Sequence, residues 1–182
     1  MDNISTRAAR NRTLVIDECE IQELEKQIKS VDDIKQSFAL DCVINADLFD
    51  CIDNIPNGLF NLIILDPPYN LDKDFCGRKF SRMKPHAYED YLNSWFFKVC
   101  DKLAPNGTLY MCGDWKCSSS MQHVIEQRLT IINRITWQRE KGRGAKANWK
   151  NAMEDIWFAV KDQNDYYFDV EAVKLRRKVI AP

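Results

Sequence analysis

The sequence has no apolar run long enough to span a membrane, and its N-terminus lacks the charged, apolar and small-residue blocks of a signal peptide. Its seven cysteines are odd in number and scattered. That excludes a simple disulfide framework and argues for free thiols in a reducing cytoplasm. Cys112 and Cys117 stand close together, but no second pair follows at ligand spacing, so no metal site is expected. Formal net charge is −1, so no excess of one sign marks the chain as a nucleic-acid binder. Glycine is sparse, with six residues. Gly142-Xaa-Gly144 lacks the third glycine and following helix of a dinucleotide fingerprint. His123 falls mid-helix with no nucleophile pattern around it and reads as structural or surface.

What remains is a chain of 182 residues, 45% hydrophobic and 29% charged, which suits one globular domain with a sizeable core. Charge is neutral overall but locally patterned. Arg139, Lys141, Arg143, Lys146 and Lys150 face only Glu140, and a second cluster holds Lys174, Arg176, Arg177 and Lys178. Basic stripes of this kind are enough for phosphate contacts.

Taken in order, residues 1–16 read as a flexible arm and 17–182 as one partial domain. Ile21, Leu24, Ile28, Val31, Ile34 and Phe38 recur at helical spacing, giving an amphipathic helix over 17–40 that breaks near Ser30. A short strand follows at 41–45 and a helix at 47–54, for which Asp47 is a natural cap. Residues 71–85 read as a polar, basic loop of the kind that covers substrates; Arg78, Lys79, Arg82 and Lys84 are available for phosphate contacts, and a merely solvated loop would have the same composition. Residues 86–103 form a helix whose aromatic stripe (Tyr88, Tyr91, Trp95, Phe96) reads as core rather than as a stacking platform. A turn at Pro105-Asn106-Gly107, strands at 108–112, 131–137 and 156–160, and a helix at 118–129 complete a β-α-β-α-β alternation. This predicts a mostly parallel α/β sheet of Rossmann type. Residues 139–151 read as a mobile glycine-containing basic loop. In it Trp149 either stacks beside an extruded base or anchors the loop.

The most informative stretch is Asn61-Leu62-Ile63-Ile64-Leu65-Asp66-Pro67-Pro68-Tyr69-Asn70. Its first half has no polar alternation and reads as a strand buried on both faces. Neither proline can donate to a sheet ladder, and each forces extended geometry on the residue before it. A stiff polar elbow therefore ends the strand, at the edge where open α/β sheets place their ligands. An exocyclic amino group on a nucleobase is a fitting target for it. The Asp66 carboxylate and the Pro67 carbonyl can each accept one N–H, drawing the nitrogen toward tetrahedral geometry and aiming its lone pair. Tyr69 can stack on the base.

Asp66-Pro67-Pro68-Tyr69 resembles the catalytic tetrad of S-adenosylmethionine-dependent amino-methyltransferases, specifically the β class that acts on DNA. The likeness extends from Asn45-Ala46-Asp47-Leu48-Phe49 and Ile55-Pro56-Asn57-Gly58, through Leu103-Ala104-Pro105-Asn106-Gly107-Thr108-Leu109-Tyr110, to Trp137–Lys161. It covers about residues 40–170. The resemblance implies a Rossmann-like methyltransferase fold with Asp66, Pro67, Pro68 and Tyr69 catalytic, and with Asp47, Leu48 and Asp66 on the cofactor S-adenosylmethionine. It also implies double-stranded DNA as partner, touched by Arg78, Lys79, Lys141, Arg143, Lys146, Trp149 and Lys150, and places Glu154 near the target pocket; as a residue, Glu154 reads equally as a surface acid. An acid at the first tetrad position leans toward N6 of adenine over N4 of cytosine.

One family element is missing. No glycine here forms the aromatic-x-Gly-x-Gly cofactor loop, which in this class follows the tetrad toward the C-terminus. The expectation is a catalytic half, truncated or split, working as a homodimer or with a separate C-terminal half. A silent DNA-binding subunit is the alternative from another class. Methylation of a protein amide nitrogen is a third, which Asp66 and the basic stretch at 141–150 disfavour.

Overall fold

A computed structural model describes residues 16–75, 77–143, 147, 149 and 151–174, with backbone alone for 140–143. The arm expected at 1–16 lies almost wholly outside them. The chain forms two compact units, Met1–Asn54 and Ile55–Pro182.

In the first unit the expected long helix is two helices. α1 (Glu18–Glu25) is capped by Asp17, whose carboxylate accepts the Glu20 N–H at 2.8 Å. β1 (Ile28–Lys29) intervenes, and α2 (Val31–Gln36) begins at Ser30. There Ser30 and Asp33 exchange side-chain-to-backbone hydrogen bonds in a capping box, the physical reason the helix restarts at that residue. β1 pairs in parallel with β2 (Val43–Ile44). α3 (Leu48–Cys51) follows, tightening into a 3₁₀ turn at Ile52–Asn54.

The second unit is built on a four-stranded sheet in the order β3-β6-β8-β7. β3 (Phe60–Leu65) runs parallel to β6 (Leu103–Gly113), with Leu65 opposite Met111. Between them in the chain lie a small antiparallel ribbon, β4 (Lys73–Phe75) with β5 (Arg78–Phe80), and the long helix α4 (Pro85–Lys102). After α5 (Ser118–Glu126), β7 (Thr130–Arg143) and β8 (Asn151–Val160) close the sheet as a hairpin. α6 (Val170–Val173) ends the described chain. β8 is antiparallel to both neighbours, so the sheet is mixed rather than mostly parallel as expected, although β3, β6 and β7 share a direction.

Strand alternation separates two faces. Leu109 and Met111 are fully buried on the face that meets α4 and α5. Tyr88, Leu92, Phe96, Met121, Val124 and Ile125 complete that core, so the aromatic stripe of α4 is packing, as expected. Gly113 lies on the same face because α5 comes so close: a Cβ there would stand 2.3 Å from Met121 Sδ. Lys161 secures the end of α4, donating from Nζ to the carbonyl of Leu103 at 2.9 Å.

Three expectations need correction. β3 is not buried on both faces: Leu62 and Ile64 are 51% and 67% exposed. Among the described residues β3 pairs only with β6, and no described helix buries these side chains, so its apolar pattern outruns its cover. The loop at 71–85 contains the β4–β5 ribbon. The basic stretch from Arg139 begins as strand, because β7 continues to Arg143 and β8 starts at Asn151.

Candidate functional site

The elbow stands where the sequence placed it, directly after the carboxyl end of β3. Register puts it beside the end of β6, so Asp66 follows the Leu65–Met111 pair and Cys112 and Gly113 lie alongside. The chain leaves the sheet here because the two prolines offer no N–H to continue the ladder. Its path is then fixed from α4. The fully buried Tyr88 donates its hydroxyl to the Pro68 carbonyl at 2.9 Å. Asn70 holds the other side, donating from Nδ2 to the Met83 carbonyl at 2.9 Å and accepting the Met83 N–H at 2.7 Å.

Within the elbow, the Tyr69 phenol lies near the Asp66 carboxylate. Burial and the neighbouring Asp66 carboxylate together push the Tyr69 phenol above its ordinary range, and the Arg139 guanidinium opposes the shift. Burial, with the Asp66 charge added, likewise raises the Cys112 thiol. These effects bring Asp66, Tyr69, Cys112 and Arg139 into one neighbourhood. Arg139 is in turn paired with Glu154, both about three-quarters buried. Glu154 also faces Trp137 across the β7–β8 ladder. The sheet thus sets an acid, a phenol, a thiol and an ion pair along one edge. Such an arrangement can accept hydrogen bonds from a planar amine and hold it against a ring.

The other expected residues divide. Asp47 caps α3, its carboxylate accepting the Phe49 N–H at 3.1 Å, with Leu48 as the first helical residue. Arg78 and Lys79 lie exposed on β5. Lys141 and Arg143 lie on β7 by backbone, while Lys146 and Lys150 fall outside the described residues. Trp149 is 96% exposed. In the second basic cluster Lys174 pairs with Glu171 at 3.1 Å, and Arg176, Arg177 and Lys178 lie outside the described residues. His123 is exposed. Sequence reasoning read Tyr88 as core alone and gave no site role to Asn70 or Cys112. Only Asn70 had an available signal, as the amide that directly follows the tetrad.

Among the described residues no group of three or more His, Cys, Asp or Glu could hold a metal ion, and no helix is long and apolar enough to cross a membrane. A groove of about 530 Å³ opens on the sheet face away from α4, lined by Leu62, Thr108, Tyr110, Phe168 and Val173 among others. It includes no tetrad residue.

A family model described as DNA methylase matches residues 60–179. The type II methyltransferase M1.MboII of Moraxella bovis is 30% identical over 131 residues, covering 70% of this chain and 48% of that protein. The DNA adenine methyltransferase YhdJ of Escherichia coli K12 is 28% identical over 141 residues, covering 75% and 46%. The chain spans about half the length of the curated relatives it matches. Among solved structures, the cytosine-N4-specific PvuII DNA methyltransferase aligns with a TM-score of 0.58 at 17% identity, over 72% of this chain and 52% of that one. A DNA modification methylase of Thermus thermophilus in complex with S-adenosyl-L-methionine aligns with a TM-score of 0.51 at 16% identity, over 69% and 55%. These likenesses identify the fold as the Rossmann-like one of the methyltransferases.

Proposed function

From a chain that belongs to the DNA methylase family, we propose a site-specific DNA methyltransferase, or its base-side half, that moves a methyl group from S-adenosylmethionine to N6 of adenine. The observation that carries this reading is the anchored elbow, with Asp66 directly after the end of β3 and the Pro68 carbonyl held by Tyr88. The Asp66 carboxylate and the Pro67 carbonyl accept the two N–H groups of the amine. Tyr69 stacks on the base, worth roughly 1–3 kcal/mol. The target must be extruded from the duplex, because the in-line approach to N6 is closed inside the stack. Positive charge on nitrogen develops beside the Asp66 carboxylate, where electrostatic stabilisation is largest. Cys112 takes no covalent part.

S-adenosylmethionine supplies an electrophilic methyl when bound. The residues present fit it in part. Within the first unit, Asp47 offers a carboxylate beside the first N–H groups of α3. Gly107 and Gly113 instead pack against neighbours, and Gly58 and Gly77 sit at positive φ in turns, so none of these four forms a cradle for the cofactor's amino-acid end. A separate half carrying the glycine loop would supply that cradle. Among the described residues β3 pairs on one side alone, and this, with the exposure of Leu62 and Ile64, supports a partner there. Duplex DNA is the second partner, met by Arg78, Lys79, Lys141, Arg143, Lys146, Trp149 and Lys150.

Adenine is favoured over cytosine N4 by the acid at position 66 and by the relative named as an adenine methyltransferase; the PvuII neighbour, which is cytosine-N4-specific, keeps N4 as the second reading. The test is transfer of labelled methyl to mixed-sequence duplex DNA, followed by separation of the nucleosides. Label in N6-methyladenine is expected. Label in N4-methylcytosine would replace the substrate. DNA binding with no transfer, alone or with a separate C-terminal half, would leave a silent binding subunit.

A further inference from the structure

We propose that the β4–β5 ribbon is an arm that seats on duplex DNA, held rigid against the elbow by the Asn70–Met83 clamp; this rests on the DNA reading above. The arm begins almost at once after Tyr69, and its base is closed by one side chain. Asn70 both donates to and accepts from the Met83 backbone, at 2.9 and 2.7 Å, across 13 positions of chain. A movement of the arm is therefore passed to the residue next to Tyr69, and the elbow in turn fixes the angle at which the arm leaves the protein.

The arm is a built element. Lys73 faces Phe80, Asp74 faces Lys79 and Phe75 faces Arg78 in antiparallel register. The Asp72 carboxylate accepts the Arg82 N–H at 2.9 Å, and the Asp74 carboxylate accepts the Gly77 N–H at 2.6 Å. Gly77 takes φ +93°, which a side chain would oppose. Phe80 packs edge-on against Tyr91 at 5.5 Å between centroids, tying β5 to α4.

Its chemistry suits DNA. Lys73, Arg78, Lys79 and Arg82 are exposed, and the two acids among them are each engaged by a backbone N–H. Phe75 is 42% exposed beneath the Lys73 ammonium, which lies 4.6 Å from the ring centroid. A two-stranded ribbon fits the major groove, where cations meet phosphate and an apolar tip meets thymine methyl groups. Seated there, the arm would place Asp66 and Tyr69 against the strand whose base is extruded.

The test is the salt dependence of binding to a labelled mixed-sequence duplex, followed by fluorescence anisotropy with the full chain. Lys73→Ala/Lys79→Ala/Arg82→Ala should reduce the slope of log K against log salt by about 2–3, near 0.9 per lost phosphate contact. Asn70→Ala should leave the slope unchanged and weaken binding about fivefold, through lost pre-organisation alone. Lys26→Ala/Lys29→Ala/Lys35→Ala, in the other unit, should change neither. A wild-type slope in the first variant would overturn the arm, and wild-type affinity in Asn70→Ala would overturn the clamp. A wild-type chain that binds no duplex would overturn the DNA reading and the arm together, an outcome distinct from either.

Discussion

The Tyr88 hydroxyl donates to the Pro68 carbonyl at 2.9 Å, so a fully buried residue of α4 fixes the second proline of the elbow. Proline already limits this segment to one backbone angle, and the hydrogen bond removes much of the remaining freedom. Tyr88→Phe keeps the ring and deletes the bond, leaving a carbonyl unpaired. We expect a loss of about 1–3 kcal/mol in denaturant unfolding. Methyl transfer should fall further than DNA affinity does, because only the elbow's aim is affected. Equal falls in both would make Tyr88 a core residue without a positioning role.

Backbone proximity sets the second prediction. A Cβ on Gly107 would stand 2.9 Å from the Phe60 carbonyl oxygen and 2.7 Å from Leu103 Cγ, at the bulge where β6 shifts register against β3. Gly107→Ala should cost about 1–3 kcal/mol through overpacking. Gly58→Ala meets no atom within 4 Å but must hold φ +68°, so its cost is strain alone, on the order of 1 kcal/mol. Urea midpoints of the two variants would check the ranking.

Alkaline stability follows from Cys100, which is 5% exposed and whose thiol burial pushes up to about 12. Its folded pKa lies above the unfolded one, so the folded chain keeps a proton that the unfolded chain releases. The stabilising contribution is whole below the unfolded thiol pKa and is lost as pH rises from there toward the folded value. Between about pH 9 and 12 the chain should lose up to ~1.4 kcal/mol per pH unit from this group. Cys100→Ala should flatten that arm of the stability curve. An unchanged slope would assign the alkaline loss to other groups.

Legibility in the sequence tracked locality. The elbow was readable because proline acts on its own residue and the one before it. The break near Ser30 was read without the capping box that the Ser30 and Asp33 side chains form there. α4 showed its stripe through helical spacing. The β4–β5 ribbon was missed because its short strands carry charge on both faces and no apolar alternation. The hairpin reaching Arg143 was missed because β7 and β8 support each other through ladder bonds that no single segment reveals. Tyr88 read correctly as core, but its hydroxyl meets an acceptor 20 positions away in the chain, a distance that no local pattern spans. The exposure of Leu62 and Ile64 was hidden for a different reason. An apolar run says that burial is wanted, without saying which chain provides it.

In the proposed reaction Asp66 is the acceptor that prepares the amine. Its most direct test is the methyl-transfer rate of Asp66→Ala against the wild type on the same duplex, with DNA affinity measured in parallel. We predict a rate lower by about 10²–10³-fold, as for the loss of one electrostatic contact made in the transition state, with affinity held within about threefold. A rate that is unchanged, or that falls only as far as the affinity does, would contradict the assignment and move the chemistry away from this elbow.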